Sequence, residues 1–196
     1  MIRPIVAYGA PVLKIKAKDI NKDYPELSKL IDDMWETMYA SNGVGLAAPQ
    51  IGLSIRIFVV DAAPFAADDE LEPSEAKALE SFKKVFINPK IIKEEGDNWS
   101  FNEGCLSIPE VREDVTRQEQ ITVAYYDEDF KLHTQTFDGL AARVVQHEYD
   151  HIEGILFTDH LSSLKRRLIK NKLSAISKGL ITVEYPMKFP NKSKRK

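Results

Sequence analysis

The feature that most constrains this chain is residues 147–151, which read His-Glu-Tyr-Asp-His and so have the pattern His-Glu-x-x-His. On a helix, residues four apart lie on the same face, so His147 and His151 can reach one metal ion with Glu148 beside them as a proton carrier. Such a short pattern also arises by chance in chains rich in glutamate. Two histidines cannot hold a catalytic metal alone, so a third protein ligand has to come from elsewhere.

The residues around this pentapeptide favour the helix that a metal site needs. Asp138 and Gly139 suit a helix start, Leu140 and Val144 fall on the same stripe as the two histidines, and Gly154 stands where a helix would end. The pattern therefore predicts a helix of about three to four turns.

Length and composition indicate a single globular domain. The 196 residues fit one domain, and 43% hydrophobic residues are enough for a core. The sequence has no apolar run of about eighteen residues and no secretion signal or transit peptide, so we expect a cytoplasmic protein without a membrane partner. The single cysteine, Cys105, excludes an intrachain disulfide framework and favours a reducing compartment.

The net charge of −3 conceals an asymmetry along the chain. From Lys165 to the C-terminus there are 11 basic side chains and one acidic one, whereas residues 1–164 hold 16 basic and 29 acidic ones. A basic C-terminal part fits a polyanionic partner such as RNA, although a solvated helix face and a frayed terminus are the commoner explanation.

Apolar spacing and turn residues predict the remaining elements. These are a helix over 27–38 that ends near 41–43, strands at 55–60 and 85–92, a turn at 94–98, a hairpin of 120–126 with 131–137, a helix from the Ser162-Ser163 cap to Gly179, and a final strand at 180–185. We interpret residues 62–83 as an acidic surface insertion with a short helix near 75–82, and we expect the last ten residues to be disordered.

Two further stretches carry candidate site residues. Residues 43–50 read Gly-Val-Gly-Leu-Ala-Ala-Pro-Gln, in which glycines permit a close backbone approach and Gln50 is the only polar side chain. They lack the spacing and the lysine of a phosphate loop. In residues 99–109, Cys105 follows a glycine, so its thiolate and nearby backbone N–H groups can face a site, or it can be a buried structural cysteine.

Taken together, these stretches resemble the three motifs of peptide deformylase. The resemblance covers residues 43–50, 103–107 and 146–151, in the family's order and with similar spacing, within about residues 1–165. It implies an α+β fold in which antiparallel β-sheets surround a central metal-bearing helix, with an N-terminal and a C-terminal helix. It also implies an enzyme that removes formate from the N-formyl-methionine of newly synthesised polypeptides.

The resemblance supplies the ligand that the two histidines lack. It implies that Cys105, His147 and His151 hold one divalent metal ion with water as the fourth ligand, so that Cys105 is a ligand and not a nucleophile. Fe(II) is the working metal that the family implies, whereas the ligand types alone also admit zinc, nickel or cobalt.

The resemblance also implies roles around the metal. Glu148 would carry a proton from the metal-activated water to the leaving amine, and Gln50 with the Leu106 backbone N–H would receive charge on the formyl oxygen. Glu103 would support the ligands, paired with Arg117, the alternative being an ordinary surface ion pair. The resemblance also implies the substrate-binding residues, which are Val44, Gly45, Phe101, Gly104, Leu140 and Val144. The position of Val144 on the helix face favours the same role.

We expect residues 1–164 to form the catalytic part, including the insertion, and residues 165–196 to add a basic helix, a strand and a tail to the same domain. Neither the insertion nor the C-terminal segment 180–196 is expected to contact the motifs. The basic helix fits docking on ribosomal RNA, in addition to the formyl-methionyl nascent peptides that are the implied substrates. No DNA partner is expected.

Two other functions remain open from the residues alone. An ordinary zinc peptidase needs a third ligand downstream, where the only histidine is His160. A metal-binding or ribosome-binding protein without catalysis is the other alternative. Glu148 argues against it, because a structural metal site needs no base and would normally have four protein ligands.

Overall fold

The computed structural model describes residues 1–190 and has an α+β fold. Its helices are α1 (Leu27–Ala40), α2 (Pro73–Glu80), α3 (Gly139–Glu153) and α4 (Ser163–Ser177). Its strands are β1 (Ile5–Val6), β2 (Gly45–Ala47), β3 (Ile57–Asp61), β4 (Lys83–Cys105), β5 (Ile108–Tyr126), β6 (Leu132–Phe137) and β7 (Met187–Lys188). Within the described range, no helix is both long and apolar enough to cross a membrane.

Five strands form one antiparallel sheet in the order β2-β3-β4-β5-β6. Residues 57–60 of β3 are fully buried, which suits their β-branched and aromatic side chains because both faces of this strand are covered. β4 and β5 form a long hairpin whose closing pair is Cys105 with Ile108. The hairpin therefore ends at the predicted metal ligand.

α3 packs against β2, β3 and β5 and brings its histidines to that end of the hairpin. Ala142, Val145 and Ile152 are fully buried in the core cluster between this helix and the sheet. The helix ends as expected at Gly154, whose φ of 75° few side chains tolerate and whose N–H donates to the His151 carbonyl.

The two outer helices close the remaining faces of the core. α1 contributes Leu30, Met34 and Met38 to a second cluster. α4 begins at the predicted cap, where the Ser162 hydroxyl accepts from the Lys165 N–H, and it buries its apolar side in a third cluster with β5. α4 is therefore part of the same packed body as the sheet.

The turn predicted at 94–98 is wrong. β4 continues through these residues with a register shift between Glu95 and Asn98, and Gly96 adopts a φ of 84°. A run of charges around a glycine is typical of a turn, but here it forms a bulge that bends the strand without reversing it.

The final strand predicted at 180–185 is also absent. The pairing is made instead by β7, which lies parallel to β1. The Ile5 N–H donates to the carbonyl of Pro186, the residue before β7, over 2.9 Å. Residues 187–190 are ordered by this contact, contrary to the expected disorder of the last ten residues. Residues 191–196 lie outside the described residues.

Substitutions at two glycines with positive φ can test how closely the end of α3 packs against residues 14–15. A Cβ added at Gly154 would lie 2.9 Å from the Lys14 carbonyl carbon, whereas one at Gly52, with a φ of 87°, would meet only Val6 at 3.9 Å. Gly52→Ala should therefore cost about 1 kcal/mol for backbone strain alone. Gly154→Ala should cost about 2 to 4 kcal/mol because the clash adds to the strain.

Denaturant unfolding of both variants measures this difference. Equal losses of unfolding free energy would contradict the close contact between the end of α3 and residues 14–15.

Candidate metal centre and active site

Three side chains form a cluster that could hold a metal ion at the end of the β4–β5 hairpin. They are Cys105, the last residue of β4, and His147 and His151, one turn apart on α3. Their donor atoms lie within 4.8 Å of one another, and the Cys105 Sγ is 3.2 Å from the His151 Nε2. The helical spacing places both imidazoles on the face that meets the thiol.

The chemistry of these donors fits a catalytic divalent ion. Burial alone would raise the pKa of the Cys105 thiol, but the two imidazoles outweigh it and lower the pKa to about 5, which favours the thiolate. The His147 Nδ1 lies 2.9 Å from a Glu103 oxygen, which leaves its Nε2 for a metal. One thiolate and two imidazoles leave the fourth position of a tetrahedral site for water.

Glu148 lies beside this cluster in a space that only a glycine can leave open. The side chain is 4% exposed, and a Cβ added at Gly45 would collide with its carboxyl group. Burial raises the pKa of Glu148 to about 7. Its Oε2 has no hydrogen-bond partner among the described residues, so the carboxyl group keeps an acceptor for another molecule.

Gln50, from a short 3-10 helix (Ala48–Ile51), and Leu106 border the cluster. The Ala47 N–H donates to the Gln50 Oε1 over 2.8 Å, which turns the Nε2 toward the Cys105 Sγ at 3.6 Å. Leu106 occupies the turn after β4. Its side chain packs over Gly43, where a Cβ would come within 2.8 Å of it.

A buried network of charges supports the cluster from behind. Glu103 is 4% exposed and accepts from the Arg117 Nε over 2.7 Å and from the Arg143 Nη1 over 3.0 Å, in addition to its contact with His147. Arg117 also lies 2.8 Å from Asp150. Glu103 and Arg117 thus form a buried ion pair and not a surface one.

The site opens into a cleft of about 490 Å³. Most of the predicted site residues line it, namely Val44, Gly45, Gln50, Phe101, Glu103, Gly104, Cys105, Leu106, Val144, His147 and Glu148. Leu140 is placed differently: one turn before Val144, it lines an adjoining cavity behind Phe101. Arg117 and His151 are buried beside the cleft without lining it.

Sequence reasoning missed three residues of the site. Arg143 is 2% exposed, lines the cleft and has its guanidinium 4.3 Å from the centre of the Trp99 ring. Its position four residues before His147 on the same helix face was the available signal. Phe65, from the insertion, and Tyr185, from the C-terminal segment, also line the cleft, and no local pattern marks either.

The Tyr185 contact corrects the expectation that neither addition contacts the motifs, whereas Phe65 reaches Phe101, two residues before the second motif. The Phe65 ring lies edge-on to Phe101, with 6.4 Å between centroids. The Tyr185 hydroxyl donates to the Leu106 carbonyl. Both additions fold back on the cleft because they carry apolar rings that pack against partly buried neighbours of the core clusters.

His160, the third ligand that an ordinary zinc peptidase would need, has another partner. Its Nε2 lies 2.7 Å from an Asp150 oxygen. It belongs to the supporting charge network, and Cys105 is the third donor of the cluster.

Comparisons with known proteins identify the family. The family model described as polypeptide deformylase matches residues 2–167. The peptide deformylase of Christiangramia forsetii is 67% identical over 194 residues, covering 99% of each chain. The peptide deformylase of Flavobacterium johnsoniae is 60% identical over 189 residues, covering 96% of each.

A solved structure has the same fold. The crystal structure of a peptide deformylase from Legionella pneumophila superposes with a TM-score of 0.75 at 40% identity, covering 89% of this chain and 94% of that one. The chain therefore belongs to the polypeptide deformylase family, metal-dependent hydrolases that remove the formyl group from the N-formyl-methionine of new polypeptides and release formate.

Proposed function

We propose that this enzyme deformylates peptides with one divalent ion held by Cys105, His147 and His151 and with Glu148 as the proton carrier. The observation that carries the proposal is that three donors suited to a metal lie together with a buried carboxyl group at one cleft, which Cys105, His147 and Glu148 line. The supporting charges of Glu103 and Arg117 keep the His147 Nε2 directed at the ion.

The ion in this site is proposed to be Fe(II). A bound divalent ion supplies Lewis-acid chemistry, which activates water and polarises a carbonyl. The donor set of one thiolate and two imidazoles also suits zinc, nickel or cobalt, so the preference for iron follows the family resemblance and not the ligand types.

Glu148 is the group that moves the proton. Its burial holds the pKa near 7, where a carboxylate can take a proton from the attacking water and a carboxylic acid can return it to the leaving amine. The Glu148 Oε2 has no partner among the described residues and can accept from a water or the substrate, and the missing side chain at Gly45 makes room for the carboxyl group itself.

Gln50 and the Leu106 backbone N–H are proposed to donate to the formyl oxygen as negative charge develops there. The Ala47 N–H fixes the Gln50 amide before substrate arrives, and such preorganised donors are typically worth about 3 to 4 kcal/mol of barrier each.

The substrate is proposed to bind as an added strand with its methionine side chain in an apolar pocket. The pocket walls are Val44, Phe101 and Val144, which line the cleft together. The backbone of Val44, Gly45 and Gly104 would pair with the extended peptide, because β2 is an edge strand of the sheet. Leu140 would not contact the methionine side chain directly, because it lines the adjoining cavity behind Phe101.

The ribosome is proposed as the partner, and the cytoplasm as the compartment. α4 exposes Arg166, Arg167 and Lys170, which would favour phosphate-rich RNA. In this proposal residues 1–164 carry the chemistry, and residues from 165 onward belong to the same domain and add the docking surface.

The role of Glu148 predicts a loss of activity without a loss of stability. Glu148→Gln should lower formate release from a formyl-Met peptide by about 100- to 10,000-fold. Its melting temperature should be no lower than that of the wild type, because a buried carboxyl oxygen without a partner is replaced by a neutral amide. Metal content should not change.

The control is Glu119→Gln, which removes one negative charge at an exposed position, as Glu148→Gln does at a buried one. This variant should keep full activity. Near wild-type formate release by Glu148→Gln would exclude Glu148 as the proton carrier.

The proposed metal predicts sensitivity to oxygen. Protein purified without oxygen should contain iron, should release formate faster than zinc-loaded protein, and should lose activity in air as Fe(II) oxidises. Cys105→Ser should retain less metal after dialysis because the thiolate ligand is gone. Metal analysis beside formate release measures both, and equal rates for the zinc and iron forms would refute the preference for iron.

The proposed docking surface predicts that charge reversal on α4 weakens ribosome binding. Changing Arg166, Arg167 and Lys170 to Glu should lower the affinity for ribosomes and flatten its salt dependence, with free formyl-Met peptide still hydrolysed at the wild-type rate.

The matched control changes three exposed lysines outside α4 to Glu, namely Lys22, Lys29 and Lys90. Its net charge therefore changes by the same amount. Equal binding by the two triple variants in a sedimentation assay would rule out α4 as the docking surface.

A further inference from the structure

The last described segment of the chain, residues 179–190, returns to the active-site cleft. β7 pairs with β1, and this pairing brings Tyr185 to the rim of the cleft, where it is one of the lining residues. The segment lies beyond residues 2–167, which the family model matches. The three sequence motifs therefore do not account for its contact with the site.

Tyr185 is attached to the turn between β4 and β5. Its hydroxyl donates to the Leu106 carbonyl over 2.7 Å. The next carbonyl, that of Ser107, accepts from the Tyr8 N–H over 2.8 Å, and Tyr8 lies just after β1. Both carbonyls of this two-residue turn therefore accept hydrogen bonds from outside the hairpin. One donor follows β1, the other precedes β7, and these two strands pair with each other.

The same turn carries parts of the proposed chemistry. Cys105, on its near side, is a donor of the metal cluster, and the Leu106 N–H is the proposed donor to the formyl oxygen. Donors of this kind work only within a few tenths of an ångström of their position, because the charge they stabilise develops at one place. A turn with no support from outside would let that N–H move.

We propose that Tyr185 is a positioning residue for deformylation, whose hydroxyl holds the Leu106–Ser107 turn and thereby the Leu106 N–H. The inference rests on the proposed role of Leu106. Tyr185 contacts a carbonyl and not a reacting atom, so it acts through the turn.

The hydroxyl and the ring of Tyr185 make different contacts, which substitution by phenylalanine can separate. The ring packs with Leu106 and Met187 against the second core cluster, which phenylalanine would also do. The hydroxyl adds the hydrogen bond, and it stays a donor at working pH because burial and the negative charge of Cys105 raise the pKa of Tyr185 to about 12.

The test compares wild type and Tyr185→Phe in the full-length, metal-loaded protein. We expect kcat for a formyl-Met peptide to fall about tenfold with KM unchanged, because the contact acts only on the transition state. The fall should be smaller than the roughly 100- to 1000-fold loss for a missing donor, since the N–H is displaced and not removed. Metal content should be unchanged, and hydrogen exchange should be faster at the Tyr8 amide, which donates to the Ser107 carbonyl of the same turn.

Tyr125→Phe is the matched control. It also removes a hydroxyl that donates over 2.7 Å, to Gln135, and its pKa is likewise raised to about 12, but Tyr125 lies on β5 and does not line the cleft. This variant should keep the wild-type kcat and the wild-type exchange of the Tyr8 amide.

Four outcomes would overturn the positioning role. They are an unchanged kcat in Tyr185→Phe, a rise in KM at constant kcat, an equal fall of kcat in both variants, or an unchanged exchange of the Tyr8 amide. A metal-loaded wild type that released no formate would instead refute the proposed function. The exchange rates would then still decide whether the hydroxyl holds the turn.

Discussion

The buried carboxylate of Glu103 is the interaction on which the rest of this active site depends. It stands on β4 and accepts hydrogen bonds from Arg117 on β5 and from Arg143 and His147 on α3. Burial alone would raise its pKa, but the bonds from His147 and Arg117 outweigh burial and hold the pKa well below its usual range. Removing one partner from such a buried pair typically costs about 3 to 5 kcal/mol, because the opposite charges stay buried and unpaired.

This carboxylate ties the helix to the hairpin in one orientation. Arg143 continues the contact through the Val115 and Trp99 carbonyls, and Arg117 continues it to Asp150 on the next turn of α3. The helix is therefore fixed about its own axis at two points that lie on either side of His147. A rotation that moved the imidazoles away from Cys105 would break several buried charged hydrogen bonds at once.

The sequence predicted the parts of this arrangement that have a local pattern. The His-Glu-x-x-His spacing, the stripe around it and Gly154 gave α3 with its observed C-terminal stop, because helical periodicity and a glycine stop are both local properties. The turn predicted at 94–98 was wrong because it also relied on a local pattern. The charges and the glycine suit a turn, but pairing with β5 makes these residues a bulge. Arg143 was not identified as a site residue, because its place on the helix face was the only signal and nothing nearby in sequence reveals the Trp99 ring or the Glu103 carboxylate that it meets.

Phe65 and Tyr185 could not be found locally, and the reason is physical. Each reaches the cleft through packing between segments far apart in the chain, the first on Phe101 and the second on Leu106. An apolar contact of the Phe65 kind tolerates a ring of similar size at a cost of less than about 1.5 kcal/mol, whereas the charges around Glu103 do not tolerate the loss of a partner. The charges around Glu103 therefore fix the metal donors, and the Phe65 ring at the rim can change with little cost to the fold. The Tyr185 hydroxyl differs from Phe65, because its hydrogen bond holds the turn that follows Cys105.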